Sequence, residues 1–317
     1  MRIALRHLPF TPEQTEHLTG MIHVAGGEAL CLPSDSAPDP ALLASCDALI
    51  GYYPPEMLGG LSRLRWLQVP CAGVERYCAA LPEDTVLTNC SGAFGVAIAE
   101  YLLAGLLALF RHLPEYQAQQ REALWQPLAP CRTVCGSVVT VVGMGDIGSH
   151  FASLVKVMGA TVRGVCRTLR DAREPFDEVY TSEQLTQAVR GADAVALCLP
   201  ATAQTRGLIS AEILHAMGPQ AVVLNCGRGA TLDEASLDAA LARGELAGAV
   251  LDVAATEPLP AGSPLWRRRN VIITPHVSGR DGDAANAIRI YRIIDENLRL
   301  FLSGCPLTHV VDRVRGY

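Results

Sequence analysis

Four polar side chains stand where short apolar runs end. Arg228 follows the run AVVLNC (221–226) inside NCGRG. Asp252 lies in GAVLDV (248–253), with Glu257 just beyond it before Pro258. His276 closes VIITPH (271–276), flanked by Pro275 and Gly279. A guanidinium pairs well with carboxylates, and an imidazole exchanges a proton near neutral pH. Together with two carboxylates, the set suits binding a small anion and moving a proton on it.

A glycine turn lies upstream of this set. Gly143, Gly145 and Gly148 spell G-x-G-x-x-G in VVTVVGMGDIGSHFA (138–152). The first glycine permits a tight turn, the second a close backbone approach to a diphosphate, and the third close helix–strand packing. A helix starting near Asp146 and Ile147 would offer free N–H groups and the positive end of its dipole to phosphate. By itself the pattern also fits an ordinary turn.

The end of the next strand, GVCRTLR (164–170), bears on which dinucleotide is bound. An NAD site usually places a carboxylate there for the ribose hydroxyls. Here Cys166 takes that place, and Arg167, Thr168 and Arg170 follow. A carboxylate would repel a 2′-phosphate, whereas arginines and a hydroxyl would bind one. NADP(H) is therefore expected over NAD(H), with NAD(H) possible.

These residues need a scaffold. From Val138 onward, apolar runs at 138–143, 161–166, 194–200, 221–226, 248–253 and 271–276 alternate with amphipathic helical stretches such as 232–245. Continuous apolar strands separated by helices argue for a parallel sheet covered on both faces, doubly wound. Loops after strand C-termini converge on the ligand crevice of such a sheet. RIALRH, DALIGY, WLQVP and VLTN repeat the theme at the start of the chain. The expected fold is α/β with two Rossmann-like, parallel-sheet domains and the active site in the cleft between them. The smaller domain is expected at 1–96 with 285–317, and the dinucleotide-binding domain at 97–284. A helix over 283–302 carries Ile288, Ile290, Ile293, Ile294, Leu298 and Phe301, and should pack back on the first domain.

Composition narrows the function classes. In 317 residues, half are hydrophobic and 18% are charged, which suits buried cores rather than disorder. The net charge is −6 and no Lys/Arg run occurs, so nucleic acid is not an expected partner. The longest apolar run, LLAGLLALF (102–110), is too short for a membrane helix and reads as a buried core helix from about Ala97. The N-terminus lacks a signal-peptide pattern. Eleven scattered cysteines without CxxC zinc spacing read as reduced thiols filling cores in a reducing cytoplasm, and no metal site is expected.

The downstream segments carry a resemblance. N-x-x-R-G, then G-A-x-x-D-V-x-x-x-E-P-L-P, then T-P-H-x-x-G resemble the D-isomer-specific 2-hydroxyacid dehydrogenases, in particular the NADPH-linked glyoxylate/hydroxypyruvate reductase branch. QVPCAGVERY (68–77) resembles the family's substrate loop, AIAEYLLAGLLALFR the helix after it, LCLPATAQTRGLI a cofactor-side loop, and PLTHVVDRVRGY its C-terminal segment. The likeness spans most of the chain.

The resemblance implies roles. His276 would be the acid/base, with Glu257 orienting its ring and stabilising the imidazolium. Arg228 would pair with the substrate carboxylate and polarise the carbonyl. Backbone N–H groups of Ala72, Gly73 and Val74 would hold the other side of the carboxylate. Asp252 would bind the nicotinamide amide. Leu199, Pro200, Thr205, Cys226, Gly227, His276 and Gly279 would join the glycine turn in lining the cofactor. The implied reaction is reduction of a small 2-oxo acid to the D-2-hydroxy acid by NADPH, in a homodimer contacting through the helix from Ala97 and residues 111–125. Cys71 inside the substrate loop has no mechanistic account. The chain ends at Tyr317, so the added regulatory domain of some phosphoglycerate dehydrogenases is not expected. Alternatives are an NAD-linked dehydrogenase working oxidatively, including the phosphoglycerate type, and a non-catalytic dinucleotide-sensing protein. A methyltransferase using the same glycine turn explains neither T-P-H nor N-x-x-R-G.

Overall fold

The structure is a computed structural model and describes residues 1–168, 171–172 and 174–316. The chain divides into two compact units, Met1–Phe94 with Arg280–Tyr317, and Gly95–Gly279. Each is built on a parallel sheet.

The first unit contains β1 (Arg2–Arg6), α1 (Pro12–Val24), β2 (Glu28–Leu32), α2 (Pro40–Ala44), β3 (Ala48–Gly51), β4 (Trp66–Gln68), α3 (Glu75–Cys78) and β5 (Val86–Thr88). Its five strands run in the order β2-β1-β3-β4-β5. The edge strand β2 escaped the sequence reading because EALCL lacks a continuous apolar run: two of its five residues are exposed. The core lies around Leu49, Tyr53, Leu67 and Tyr77.

The second unit begins with α4 (Gly95–Phe110) and α5 (Leu113–Arg121). Next come β6 (Val138–Val142), α6 (Asp146–Val157), β7 (Thr161–Cys166), β8 (Glu178–Thr181), α7 (Leu185–Val189) and β9 (Ala194–Leu197). The unit closes with α8 (Ala211–Met217), β10 (Val222–Asn225), α9 (Glu234–Ala242), β11 (Gly248–Leu251) and β12 (Val271–Ile273). The sheet order is β12-β11-β10-β9-β6-β7-β8, all parallel. The order turns back at β6 and β9, where a doubly wound sheet opens its ligand crevice. Val, Leu and Ala make up most of β9, β10 and β11, which are buried at every position, as strands covered on both faces must be. The buried hydroxyl of Thr140 in β6 is satisfied by donating to the Ala188 carbonyl at 2.8 Å. Gly105 lets α4 lie directly on β11, since a Cβ there would come within 2.8 Å of Val250. Among the described residues no single helix is long and apolar enough to cross a membrane.

The chain returns to the first unit through α10 (Ala284–Leu302), which packs against α1. Ile290, Ile294 and Leu298 are buried, but Ile288 is exposed, so the apolar stripe is narrower than its sequence pattern. A buried polar network ties α10 to the sheet. Trp66 Nε1 donates to Thr88 Oγ1 at 2.8 Å, which donates to Gln68 Oε1 at 2.7 Å. Asn297 Nδ2 donates to the same Gln68 oxygen at 2.9 Å, and Asn297 Oδ1 accepts from the Thr308 N–H at 2.8 Å. Each buried polar group finds a partner, which is the condition for such a network to fix geometry rather than cost stability. It anchors β4 immediately before the chain enters Val69–Val74.

Candidate active site

The glycine turn joins β6 to α6. Gly143 has φ of 107°, and a Cβ there would lie 2.6 Å from the Cys198 carbonyl oxygen. A Cβ on Gly148 would strike the Gly143 carbonyl and approach Val141 Cγ1 to 2.9 Å. Packing therefore demands both glycines. Gly145 differs: nothing lies within 4 Å of where its Cβ would be. It is the N-cap of α6 and supplies no side-chain cap, and among the described residues no backbone hydrogen bond starts from the N–H of Asp146 or Ile147. Open space beside unpaired N–H groups at the N-terminus of a twelve-residue helix fits a diphosphate.

β7 ends on Cys166, whose thiol donates to the Thr168 carbonyl at 3.1 Å. Arg167 and Thr168 are exposed just beyond it. Arg170, expected to join them, lies outside the described residues. After β9 come Leu199 and Pro200. Thr205 stiffens that loop, donating from Oγ1 to the Pro200 carbonyl at 2.6 Å and accepting from the Thr202 N–H at 2.8 Å.

The Arg228 loop is shaped by Asn225, Thr231 and the two glycines that flank the arginine. Asn225 Oδ1 accepts from the Gly227 N–H at 3.1 Å, and its Nδ2 donates to the Arg228 carbonyl at 3.3 Å. Thr231 Oγ1 donates to that carbonyl at 2.7 Å. Gly227 presses on the Leu199 backbone, where a Cβ would come within 2.6 Å of its oxygen. Gly229 presses on the backbone of Ala254 and Ala255, leaving no room for any side chain. The asparagine and second glycine of N-x-x-R-G thus set the loop carrying Arg228 against the loop carrying Glu257. Burial beside Asp252 pushes the Cys226 thiol well above its ordinary pKa, so it is a neutral filler there.

Asp252 organises the last loop. It is 1% exposed, yet Oδ1 accepts from Thr274 Oγ1 at 2.6 Å and the Val277 N–H at 2.8 Å, while Oδ2 accepts from the Ser278 N–H at 2.9 Å. Its carbonyl accepts from the His276 N–H at 2.8 Å. Tyr101 on α4 completes the chain, its hydroxyl 2.6 Å from Thr274 Oγ1. Burial pushes that phenol upward, so it stays a neutral hydrogen-bonding group. This clamp holds His276 at φ of 54°, a backbone conformation that non-glycine residues adopt only when their surroundings impose it. The strand itself ends at Ile273, so His276 sits in a loop rather than at a strand end. His276 Nδ1 lies 2.8 Å from Glu257 Oε2, and Glu257 Oε1 accepts from the Ala254 N–H at 3.0 Å. A cavity of about 390 Å³ in this unit is lined by Asp252, Glu257, Leu259, Trp266, Pro275 and His276 among others. Gly279 is the last residue of the unit.

In the first unit, the chain leaving β4 forms the loop of Cys71, Ala72, Gly73 and Val74. Cys71 Sγ donates to the Gly73 carbonyl at 3.1 Å, and Asn89 Nδ2 donates to the Ala72 carbonyl at 2.9 Å. Among the described residues, no backbone hydrogen bond starts from the N–H of Ala72, Gly73 or Val74. All eleven cysteines are free, and Cys31, Cys131, Cys135 and Cys305 are exposed, so core filling describes only some of them. Among the described residues, no group of three or more His, Cys, Asp and Glu could hold a metal.

A dinucleotide turn in one sheet crevice, with a His–Glu pair and an arginine on loops of the same sheet, defines an NAD(P)-dependent oxidoreductase acting on CH–OH groups. Residues 103–278 match the family model described as D-isomer specific 2-hydroxyacid dehydrogenase, NAD binding domain. A glyoxylate/hydroxypyruvate reductase A of Salmonella typhimurium is 36% identical over 279 residues, covering 85% of this chain and 87% of that protein. A D-isomer specific 2-hydroxyacid dehydrogenase family protein of Aeromonas salmonicida is 34% identical in its crystal structure, with a TM-score of 0.83 over 98% of this chain and 99% of that one. The NADPH-dependent glyoxylate/hydroxypyruvate reductase of Sinorhizobium meliloti, solved with NADP and sulfate, is 28% identical with a TM-score of 0.82 over the whole of both chains. The chain belongs to the D-isomer-specific 2-hydroxyacid dehydrogenase family. A nicotinamide cofactor and a small hydroxy or oxo acid follow from that membership.

Proposed function

We propose that the protein reduces a small 2-oxo acid, of the glyoxylate or hydroxypyruvate kind, to the D-2-hydroxy acid with NADPH. The observation that carries this reading is the 2.8 Å pairing of His276 Nδ1 with Glu257, on a loop clamped by buried Asp252. With Nδ1 committed to a carboxylate, Nε2 is the position from which a proton reaches the carbonyl oxygen. Arg228 pairs with the substrate carboxylate and withdraws charge from the adjacent carbonyl. The N–H groups of Ala72, Gly73 and Val74, from which no backbone hydrogen bond starts among the described residues, are the first unit's candidates for binding a carboxylate.

NADPH supplies the hydride when bound. The first turn of α6, with Gly143, Gly145, Asp146, Ile147 and Gly148, holds its diphosphate. Leu199, Pro200, Thr205, Cys226, Gly227 and Gly279 line the remainder. A carboxylate offers about four acceptor positions. Asp252 uses three on its own loop, leaving one for the nicotinamide amide. The preference for NADPH rests on Cys166 in place of an acid, with Arg167, Thr168 and Arg170 following. NADP bound to the S. meliloti relative supports it.

A homodimer is proposed through α4 and residues 111–125, because Leu113, Leu124 and Trp125, the last 99% exposed, are large apolar groups that a partner would cover. Eleven free thiols suit a reducing cytoplasm. The test is a panel of 2-oxo acids with NADPH and NADH. Oxidation of NADPH by glyoxylate or hydroxypyruvate is expected. Cofactor binding without turnover of any acid would point instead to a dinucleotide-sensing protein, and faster turnover with NADH would refute the cofactor assignment.

A further inference from the structure

We propose that Cys71 and Cys90 are a reversible redox pair, whose disulfide changes the shape of the loop from Ala72 to Val74. Both residues lie in the first unit, and the pair stands apart from the 2-oxo acid reading above.

The two cysteines leave neighbouring strands. β4 and β5 pair in parallel with Gln68 opposite Thr88. Beyond the strands the two chains stay together. The Val69 N–H donates to the Thr88 carbonyl at 3.0 Å, and the Cys90 N–H donates to the Cys71 carbonyl at 3.0 Å. With ordinary bond lengths and hydrogen-bond angles, that second bond holds the two Cα atoms about 5–6 Å apart. Disulfides span Cα separations of about 4.4–6.8 Å, so the backbone needs little movement to close one.

The two thiols differ as a sensing thiol and its resolving partner must. Cys90 is 0% exposed, and Gln68 Nε2 donates to its sulfur at 3.6 Å. Burial, with the Cys71 thiol beside it, pushes the Cys90 thiol well above its ordinary pKa. It therefore stays protonated and shielded from oxidants in water. Cys71 is half-buried, next to the exposed Ala72. Its Sγ donates to the Gly73 carbonyl at 3.1 Å and lies beside the Tyr52 hydroxyl. A thiol is a weak donor and acceptor, so the sulfur gives up these contacts without breaking the sheet.

The oxidant class is a hydroperoxide, hydrogen peroxide in the simplest case. The Cys71 sulfur attacks one peroxide oxygen and the O–O bond breaks, leaving Cys71 sulfenic acid and water. The Cys90 sulfur then attacks the Cys71 sulfur. The S–O bond breaks, and the departing hydroxide leaves as water with the Cys90 proton. The two thiols lose two electrons and two protons, and the peroxide becomes two waters. A dithiol reductant reopens the bond by exchange. The closed disulfide takes Cys71 Sγ off the Gly73 carbonyl and ties the loop to the end of β5. The N–H groups of Ala72, Gly73 and Val74 then stand in a different arrangement.

The experiment treats the purified full chain with graded hydrogen peroxide, blocks the remaining thiols with N-ethylmaleimide under denaturing conditions, and maps the peptides by mass spectrometry. Hydrogen exchange is read in parallel on peptides covering 69–79 and α1. Expected are a linked Cys71–Cys90 peptide that dithiothreitol removes, and altered exchange at 72–74 that the reductant restores, with α1 unchanged. Cys90→Ala should accumulate Cys71 sulfinic acid at peroxide doses where wild type holds the disulfide. If that variant does not fold, the wild-type map decides. Cys71 joined to Cys78, Cys71 sulfinic acid in wild type with Cys90 alkylated, or a disulfide that leaves exchange at 72–74 unchanged would overturn the proposal.

Discussion

The loop carrying His276 and the loop from Cys71 to Arg76 both leave the carboxyl ends of parallel strands, yet they are held by opposite means. The first is clamped by a buried carboxylate that accepts from one hydroxyl and two backbone N–H groups, with a tyrosine behind the hydroxyl. Charge-assisted bonds in a buried setting are strong and directional, and they hold His276 at an unfavourable φ. The second loop is held by a thiol contact, an asparagine and a guanidinium leaning on two rings. Those contacts are weaker and depend more on side-chain shape. A proton donor tolerates little misplacement, and the tighter construction is the one that carries the proposed acid/base His276.

The sharpest way to break the comparison is at the clamped loop. Replacing His276 by Asn should lower kcat for 2-oxo acid reduction by about 10²–10⁴-fold, read as the initial rate of NADPH oxidation at saturating acid. Arg228→Gln should lower kcat/KM by roughly 10²–10³-fold, since the donor it removes faces charge that grows along the reaction. Either variant keeping near-wild-type turnover would remove that residue from the site.

The clamp itself is tested through stability. Asp252→Ala strands two N–H groups and the Thr274 hydroxyl, and should cost about 2–4 kcal/mol in urea unfolding. Asn297→Ala in the first unit strands the Thr308 N–H and takes one of two donors from Gln68 Oε1, and should cost about 1–3 kcal/mol. A larger loss at Asn297 than at Asp252 would reverse the claim that the His276 loop is the more tightly held.

The smallest expected effect is an acid-side one. Asp177 is held below its ordinary pKa by Lys156, which donates to it, and by the Val162 N–H. A depressed carboxylate contributes stability above its unfolded pKa near 3.8, lost as pH falls through the lower folded value. Asp177→Asn should therefore lower stability at pH 7, by less than about 1 kcal/mol after screening, and the difference should vanish in strong acid. A deficit that persists in strong acid would mean that packing, not charge, is at stake.

Legibility in the sequence followed the same division. Arg228, Glu257 and His276 stand out as candidates because each sits beside a strand whose apolar run is unmistakable, and each belongs to a spaced motif. Asp252 was read as a cofactor ligand. Its work in folding the His276 loop was hidden, because its partners at Thr274, Val277 and Ser278 are spread over a turn whose shape no periodicity encodes. Gly229 belongs to the N-x-x-R-G motif, but only the adjacent Ala254–Ala255 backbone explains why it must be glycine. Tyr101 was hidden in the apolar pattern of α4, and the AEY tripeptide was its only trace. The edge strands β2 and β8 were missed because half-exposed strands carry no long apolar run.

The most direct measurement is the rate of NADPH oxidation by purified protein with glyoxylate and hydroxypyruvate, compared with NADH at equal concentration and with the His276→Asn variant alongside. The account predicts turnover of at least one acid, a higher kcat/KM with NADPH than with NADH, and loss of that turnover in the variant. Binding of NADPH with no oxidation by either acid, or turnover that survives without His276, would contradict it.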